Sequence, residues 1–348
     1  METVFDKRAF KMLRAVAVIM LVFHHAFGVP SWLLNGLDYS NFYILSYPLE
    51  YYSLHPMRLC VGLFAFMTGY AYAYCKTPDF MYSLKKIFQV LIKYWIILVV
   101  FFIAAVLLGV YQFSPVQFVT EFLAMNDPLV TFGWYIYFYC FSMIALWALN
   151  KFVKGGKYFE LLFPLLVCVL FRDFFTYLHS PFQFVLDDLR ECAFWFPCVS
   201  VGYWVAKYNG EEVLKKYFHT DNLLWMFVII VGIMAARVRL RELYGLNVDC
   251  IYAPFLAYYW CCIFRKVKVG SIIEKVLMFL GDHNFNIWLI SSVFYGCLAP
   301  YTQWLAYLPK FPLLVVVWII LLCIVPSIIV EFIYKLIMKP FKKDAAAS

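Results

Sequence analysis

Charged residues are scarce in this chain of 348 residues. Asp, Glu, Lys and Arg together make up 14% of it, whereas soluble domains carry about 25%. Hydrophobic residues make up 65% and aromatic residues 22%. This composition excludes a soluble globular protein and indicates an integral membrane protein. Apolar runs long enough to cross a bilayer recur along the chain, which predicts an all-α, polytopic fold.

The sequence also lacks several patterns that would point to other classes of protein. It has 11 cysteines, but neither a CxxC motif nor the Cys/His spacing of a zinc site. We therefore expect no metal, and we expect the adjacent Cys261 and Cys262 to be small residues of the core. There is no long polar linker and no clear internal repeat, so we expect a single domain over residues 1–348.

Hydropathy predicts ten transmembrane helices. Their approximate bounds are 12–28, 57–75, 87–110, 133–150, 160–177, 191–206, 223–236, 249–264, 276–297 and 312–337. Between the third and fourth, the segment Ser114–Met125 has the pattern of a short interfacial helix, with aromatic residues opposite Gln117 and Glu121.

The basic residues give the orientation of these helices. Ten alternating spans place 21 of the 29 Lys and Arg residues on the side of the two termini and seven on the opposite side. Under the positive-inside rule, both termini are then cytoplasmic. The net charge of +8 is thus mainly a topology signal, and we expect no nucleic acid partner.

Arg14 and His25 are the most informative pair, because they lie eleven positions apart in the first predicted span. Eleven steps of a helix return to within about 20° of the starting direction and rise about 16 Å. Both side chains therefore point the same way. Ionisable residues inside spans usually face a bundle interior or a wet cavity. A neutral, buried His25 can act as a general base or nucleophile, although a helix–helix hydrogen bond is the simpler role.

Cations gather at the cytoplasmic end of this region. Arg14 either clamps a phosphate or simply extends toward the headgroups as a positive-inside arginine. Lys85, Lys86 and Lys93 begin the third span, and Lys93 lies about two turns inside, where an unpaired ammonium is costly. A polyphosphate ligand from the cytoplasm would account for all of them, whereas topology alone accounts for Lys85 and Lys86.

The outer side offers candidates for substrate binding. Arg58 opens the second span, and Trp134 and Tyr135 open the fourth. Charges and aromatic rings together suit a sugar, although aromatic rings at span ends more often form an interfacial belt. Further arginines, Arg237 to Arg241, alternate along a segment that we expect to be an outer loop.

Four segments resemble the acyltransferase-3 family of membrane acyltransferases. Residues 13–25, LRAVAVIMLVFHH, are similar to its opening helix, in which an arginine and a histidine are separated by ten residues. Residues 61–70, VGLFAFMTGY, resemble its PLFFFISGY stretch, and residues 133–136, GWYI, its WYL element. Residues 280–290, LGDHNFNIWLI, resemble its late LGKHSMNIWLIH helix. The resemblance extends from the first span to the ninth.

The resemblance implies O-acylation, usually acetylation, of a cell-surface or lipid-linked polysaccharide with cytoplasmic acetyl-CoA as the acyl donor. It implies that His25 is catalytic, that Arg14 is its motif partner, and that the protein lies in a bacterial plasma membrane. The second-span similarity favours enzymes that modify capsule or exopolysaccharide.

The chain departs from the family pattern at several positions. Lys11 stands where relatives often have an acidic residue, and Lys86 and Gln89 correspond only loosely to a pair of arginines. A lysine attracts phosphate but lacks the bidentate fork of arginine. Ser291 replaces a histidine, and we do not expect it to be catalytic.

Two other classes of protein remain open on the sequence alone. A transporter or flippase would use intramembrane charges along a substrate path, and inverted repeats would favour it. A polysaccharide polymerase or ligase would have large, arginine-rich outer loops. Binding of acetyl-CoA to the solubilised protein would separate both from the acyltransferase.

Overall fold

The chain is almost entirely helical in the computed structural model. The structure describes residues 3–34, 37, 39–40, 43–44, 47–48, 55–75, 78–125, 129–178, 183–244 and 248–347, without the side chains of residues 30, 44, 47, 176, 244 and 341–347. The helices are α1 Lys7–Phe27, α2 Leu59–Ala73, α3 Phe80–Leu107, α4 Pro115–Phe122, α5 Trp134–Phe152, α6 Lys157–Tyr177, α7 Gln183–Lys207, α8 Gly210–Phe218, α9 Leu223–Tyr244, α10 Asp249–Lys266, α11 Ile272–Ser291, α12 Ala299–Ala306 and α13 Pro312–Ala347.

Short non-α elements complete the described chain. Two 3-10 helices lie at Pro30–Trp32 and Ser292–Phe294, and two strands of two residues each pair antiparallel at Tyr43–Ile44 and Tyr47–Pro48. They add little regular structure, and the all-α prediction is confirmed.

Each of the ten predicted spans coincides with one long helix, while α4, α8 and α12 are short connecting helices. Within the described residues, α1, α3, α9 and α13 contain segments long and apolar enough to cross a membrane, and α2 is a shorter apolar helix. The protein is therefore an all-α membrane protein. The complete ten-span topology, with both termini in the cytoplasm, stays a prediction.

Polar side chains fix where several helices begin. Asp6 precedes α1 and accepts a hydrogen bond from the backbone N–H of Ala9 at 2.7 Å. Asp79 caps α3 in the same way. Ser114 caps α4, which confirms a helix in the segment with the interfacial pattern. Such caps satisfy N–H groups that have no partner within the helix.

Glycines allow the central helices to approach closely. A Cβ atom on Gly281 of α11 would lie 2.0 Å from the carbonyl oxygen of Lys11 on α1. Gly69 of α2 and Gly202 of α7 likewise face the backbone of the opposite helix. These contacts place α1 and α2 at the centre of the bundle, where most of their side chains are buried.

One sequence expectation about this architecture is wrong. Arg237, Arg239 and Arg241 do not lie in a loop, because α9 continues to Tyr244. Arg237 is only 2% exposed and forms an ion pair with Asp249 of α10 at 2.6 Å. This carboxylate compensates the buried charge, so the helix does not need to end where the apolar run ends.

Candidate active site

The face of α1 that carries Arg14 and His25 borders two cavities inside the bundle. Arg14 lies in the wall of a cavity of about 410 Å³. Leu21 and His25 lie in the wall of a smaller one of about 70 Å³. Arg14 and His25 thus both face interior space, in agreement with the same direction that their spacing predicts.

The two cavities are neighbours, since four residues line both of them. They are Phe64 of α2, Tyr135 of α5, and Asn284 and Phe285 of α11. These side chains form the partition between the Arg14 cavity and the His25 cavity. A narrow molecule that entered the Arg14 cavity and passed this partition would meet Arg14 first and His25 last.

The order of lining residues along each helix gives the direction of this space. On α2, Val61 lines the His25 cavity, whereas Tyr72 lines the Arg14 cavity. On α5, Trp134 lines the His25 cavity and Met143 lines the Arg14 cavity. The two cavities therefore lie one after the other along the bundle, and we name the two ends of this pair after Arg14 and His25.

The Arg14 end is the more polar of the two. Arg14 is exposed because it projects into the cavity. Lys86 lies in the same wall, with its ammonium 5.5 Å from the centre of the Tyr82 ring. Lys85 is exposed and is not part of this wall. Of the two lysines that open α3, only Lys86 is thus placed to meet a ligand in the cavity.

Lys93 lines the same cavity but has a partner of its own. Its ammonium lies 2.6 Å from a carboxylate oxygen of Glu331 on α13 and 4.6 Å from the centre of the Tyr334 ring. The ion pair compensates the charge that appeared costly from the sequence. Lys93 therefore contributes less free positive charge to a ligand than Arg14 and Lys86 do.

Two of the departures from the family pattern meet at this end of the space. Lys11, which stands in place of an acidic residue, forms an ion pair at 2.5 Å with Asp282, which stands in place of a lysine. At both positions the sign of the charge is opposite to that of the family pattern. It joins α1 to α11 next to Gly281, where the two helices are closest.

His25 is held between aromatic rings at the opposite end. Its side chain is 8% exposed. The Phe132 ring stacks on the imidazole with centres 3.7 Å apart, and Trp32 contacts it edge-on at 5.5 Å. Nδ1 of His25 is buried and has no hydrogen-bond partner among the residues that the structure describes. The ring is thus fixed by packing, while this nitrogen remains available to a ligand.

Asn284 is a site residue that the sequence analysis did not single out. It lies in the wall shared by the two cavities, and its side-chain amide donates a hydrogen bond to the carbonyl oxygen of Gly281 at 2.6 Å. The amide group has a second N–H and an acceptor oxygen. The only signal for it was its place within the LGDHNFNIWLI segment. Phe132 was missed too, since nothing in its local sequence points to His25.

The remaining candidates fall in different places. Trp134 lines the His25 cavity and Tyr135 lines both cavities. Arg58 lies in neither wall and instead stacks over the Trp195 ring at 5.4 Å. Ser291 is buried, and its hydroxyl donates a hydrogen bond to the carbonyl oxygen of Trp288 at 2.7 Å. Within the described chain, no three His, Cys, Asp or Glu side chains are grouped as metal ligands.

Comparison with known families agrees with the four sequence segments. The acyltransferase-3 family model, described as an acyltransferase domain, matches residues 7–334. The chain belongs to this family. It is an acyltransferase of the membrane, and the match covers nearly all of its length, including Arg14 and His25. No curated protein and no solved structure matches this chain.

Proposed function

We propose that this acyltransferase transfers an acetyl group from acetyl-CoA to a hydroxyl of a cell-surface or lipid-linked polysaccharide. One observation carries the proposal: a cationic cavity at Arg14 adjoins an aromatic cavity at His25, and the two share a wall. A polyphosphate donor with a long, narrow arm suits this arrangement. Its phosphates need cations, and its thioester needs a base about 16 Å further along α1.

Arg14 and Lys86 hold the phosphate-bearing end of the donor. A guanidinium binds a phosphate through two parallel hydrogen bonds, and an ammonium adds a further point charge. Both groups face the larger cavity, whereas Lys93 is neutralised by Glu331. We place this end in the cytoplasm, where acetyl-CoA is made and where the excess of basic loops puts both termini.

His25 then acts at the acyl end. It removes the proton from the acceptor hydroxyl as the hydroxyl oxygen attacks the thioester carbonyl carbon. The carbon–sulfur bond breaks, and the proton passes to the departing sulfur, so the products are an ester and free CoA. In the alternative route, the acetyl group rests transiently on the imidazole. Both routes need an unprotonated ring nitrogen, and no carboxylate of the described residues pairs with this buried imidazole.

The acceptor enters from the His25 end. Trp134 and Tyr135 stand there with their rings toward the cavity that His25 lines, and aromatic rings offer flat apolar surfaces to the faces of sugar rings. In the ten-span topology, this end faces the outside of a bacterial plasma membrane. The acceptor is therefore a capsular or exported polysaccharide, or its lipid-linked precursor.

Mass spectrometry of surface glycans tests this proposal. Cells that carry the wild-type protein should show glycan fragments heavier by one acetyl group, and cells that carry His25→Ala should lack them. His24→Ala is the matched control, because the neighbouring histidine lines neither cavity. Both variants should reach the membrane in equal amounts.

Two results would contradict the proposal. Unchanged glycan mass in the presence of abundant wild-type protein would exclude the polysaccharide acceptor. Full transfer by His25→Ala would exclude the role of His25. Equilibrium binding of acetyl-CoA to the purified protein separates this function from a transporter or polymerase, neither of which requires that donor.

A further inference from the structure

The start of α2 and the end of α9 bring three arginines together beside Asp249 at the start of α10. We call Arg58, Arg237 and Arg241 the arginine cluster. Arg58 lies one helical turn before Val61, which lines the His25 cavity. The cluster therefore lies at the same end of α2 as the His25 cavity, and its partners Trp195 and Asp249 line a separate cavity of about 210 Å³.

The cluster carries more positive than negative charge. Asp249 is engaged by Arg237 through both carboxylate oxygens, at 2.6 and 2.8 Å. This two-pronged pair neutralises the Arg237 guanidinium. Arg58 and Arg241 form no ion pair within the part of the chain that the structure describes, and Nη1 of Arg241 is buried without a hydrogen-bond partner.

The surroundings of His55 also indicate that positive charge exceeds negative charge in the cluster. His55 lies in the turn before α2, and its backbone carbonyl accepts a hydrogen bond from Arg237. Burial, followed by the positive charges of Arg241 and Arg237, lowers the pKa of His55. A histidine does not gain a proton easily beside guanidinium groups that are not fully compensated.

A buried guanidinium N–H without a partner is costly, and such a group in a native protein calls for a ligand or another partner. Arg58 is prepared for the same task. Its guanidinium stacks over Trp195, and no described residue accepts a hydrogen bond from its N–H groups, whose planar arrangement suits a planar anion. Arg58 and Arg241, which form no ion pair among the described residues, therefore form a candidate anion-binding site.

We infer that the acceptor is acidic, and that Arg58 and Arg241 bind a carboxylate or phosphate group of the polysaccharide at the end of the bundle where His25 lies. This inference rests on the proposed function and narrows its substrate class to anionic glycans. Arg237 is a positioning residue, because its buried pair with Asp249 holds α9 against α10.

Binding of defined oligosaccharides to the purified full-length protein tests the inference. The probes are hexagalacturonate, which carries carboxylates, and maltohexaose, which is neutral. We expect the wild type to bind only the acidic probe, and added NaCl to weaken that binding. Arg58→Gln and Arg241→Gln should each raise its Kd roughly tenfold, as expected for the loss of one charge-assisted hydrogen-bonding group.

Arg239→Gln is the matched control. Arg239 lies on the same helix but is exposed and paired with Glu242 at 3.3 Å, so its loss should leave the Kd unchanged. Equal binding of both probes, no binding of hexagalacturonate, or an equal effect of Arg239→Gln would overturn the inference. Arg58→Lys should recover part of the affinity, which separates a ligand contact from a folding defect.

Two further measurements, lipid retention in nanodiscs and acetyl transfer, show whether this inference or the proposed function fails. If the cluster variants change only the amount of phosphatidylglycerol retained in nanodiscs, the anion is a lipid headgroup and the acidic acceptor is wrong. If the wild type acetylates a neutral glycan and ignores hexagalacturonate, the proposed function stands and this inference fails. If it binds hexagalacturonate but transfers no acetyl group, the anion site stands and the proposed function fails.

Discussion

The contact between α2 and α7 makes a prediction whose size follows from the structure. A Cβ atom on Gly69 would lie 1.8 Å from the carbonyl oxygen of Val199, and one on Gly202 would lie 2.1 Å from that of Phe66. Ordinary contacts of Cβ atoms begin at 3.4 Å, so Gly69→Ala or Gly202→Ala must separate the backbones by roughly 1.5 Å, and such overpacking costs about 1–3 kcal/mol. Gly62→Ala is the control, because its nearest contact would be at 3.6 Å.

Thermal unfolding of the purified variants in detergent measures this effect. We expect Gly69→Ala and Gly202→Ala to lower Tm by roughly 2–6 °C and Gly62→Ala to leave it unchanged. Activity should fall with the first two, since α2 carries Phe64, which divides the two cavities. Equal Tm values for Gly69→Ala and Gly62→Ala would refute the reasoning from close helix approach.

Three other predictions concern the charged groups. Arg14→Ala should raise the KM for acetyl-CoA at least tenfold, because a charged contact to phosphate is lost. The KM for the acceptor should not change. An unchanged KM for acetyl-CoA would mean that Arg14 serves only as a positive-inside residue. Lys11→Glu and Asp282→Lys should each lower acetyl transfer, because the ion pair of Lys11 with Asp282 joins α1 to α11. The double variant should restore transfer, since it forms the pair with the charges reversed. Additive losses in the double variant would contradict a role for the pair. Burial raises the pKa of Glu121 on α4 to about 7, so ionisation disfavours the folded state increasingly as the pH rises from about 4.5 to 7. The gain in Tm from Glu121→Gln should therefore be larger at pH 8 than at pH 5, and an equal gain at both would show that Glu121 does not titrate there.

Local periodicity was enough to predict the helices and the orientation of Arg14 and His25 on α1. The spacing of residues along one helix depends only on helix geometry, and the ten apolar runs coincide with ten helices. Cys261 and Cys262 are buried as expected. Features of this kind lie within a single segment, so they can be read without knowing which helices touch.

Contacts between distant segments could not be predicted in this way. The segment around Arg237 has the charge of a loop, and only its ion pair with Asp249 of the next helix explains why it is helical and buried. Lys93 appears unpaired until Glu331, on the last helix, is placed beside it. Phe132 reaches His25 from a connection between α4 and α5. In each case, the partner is chosen by packing, which composition and spacing do not encode.

Cryo-electron microscopy of the protein with an acetyl-CoA analogue whose thioester sulfur is replaced by a methylene group tests the central idea most directly. We predict density for the phosphates beside Arg14 and Lys86, and for the acetyl end beside His25 and Phe132, with the arm passing Asn284. Saturated protein that holds the analogue elsewhere, or with its acetyl end outside the aromatic cavity, would contradict the account.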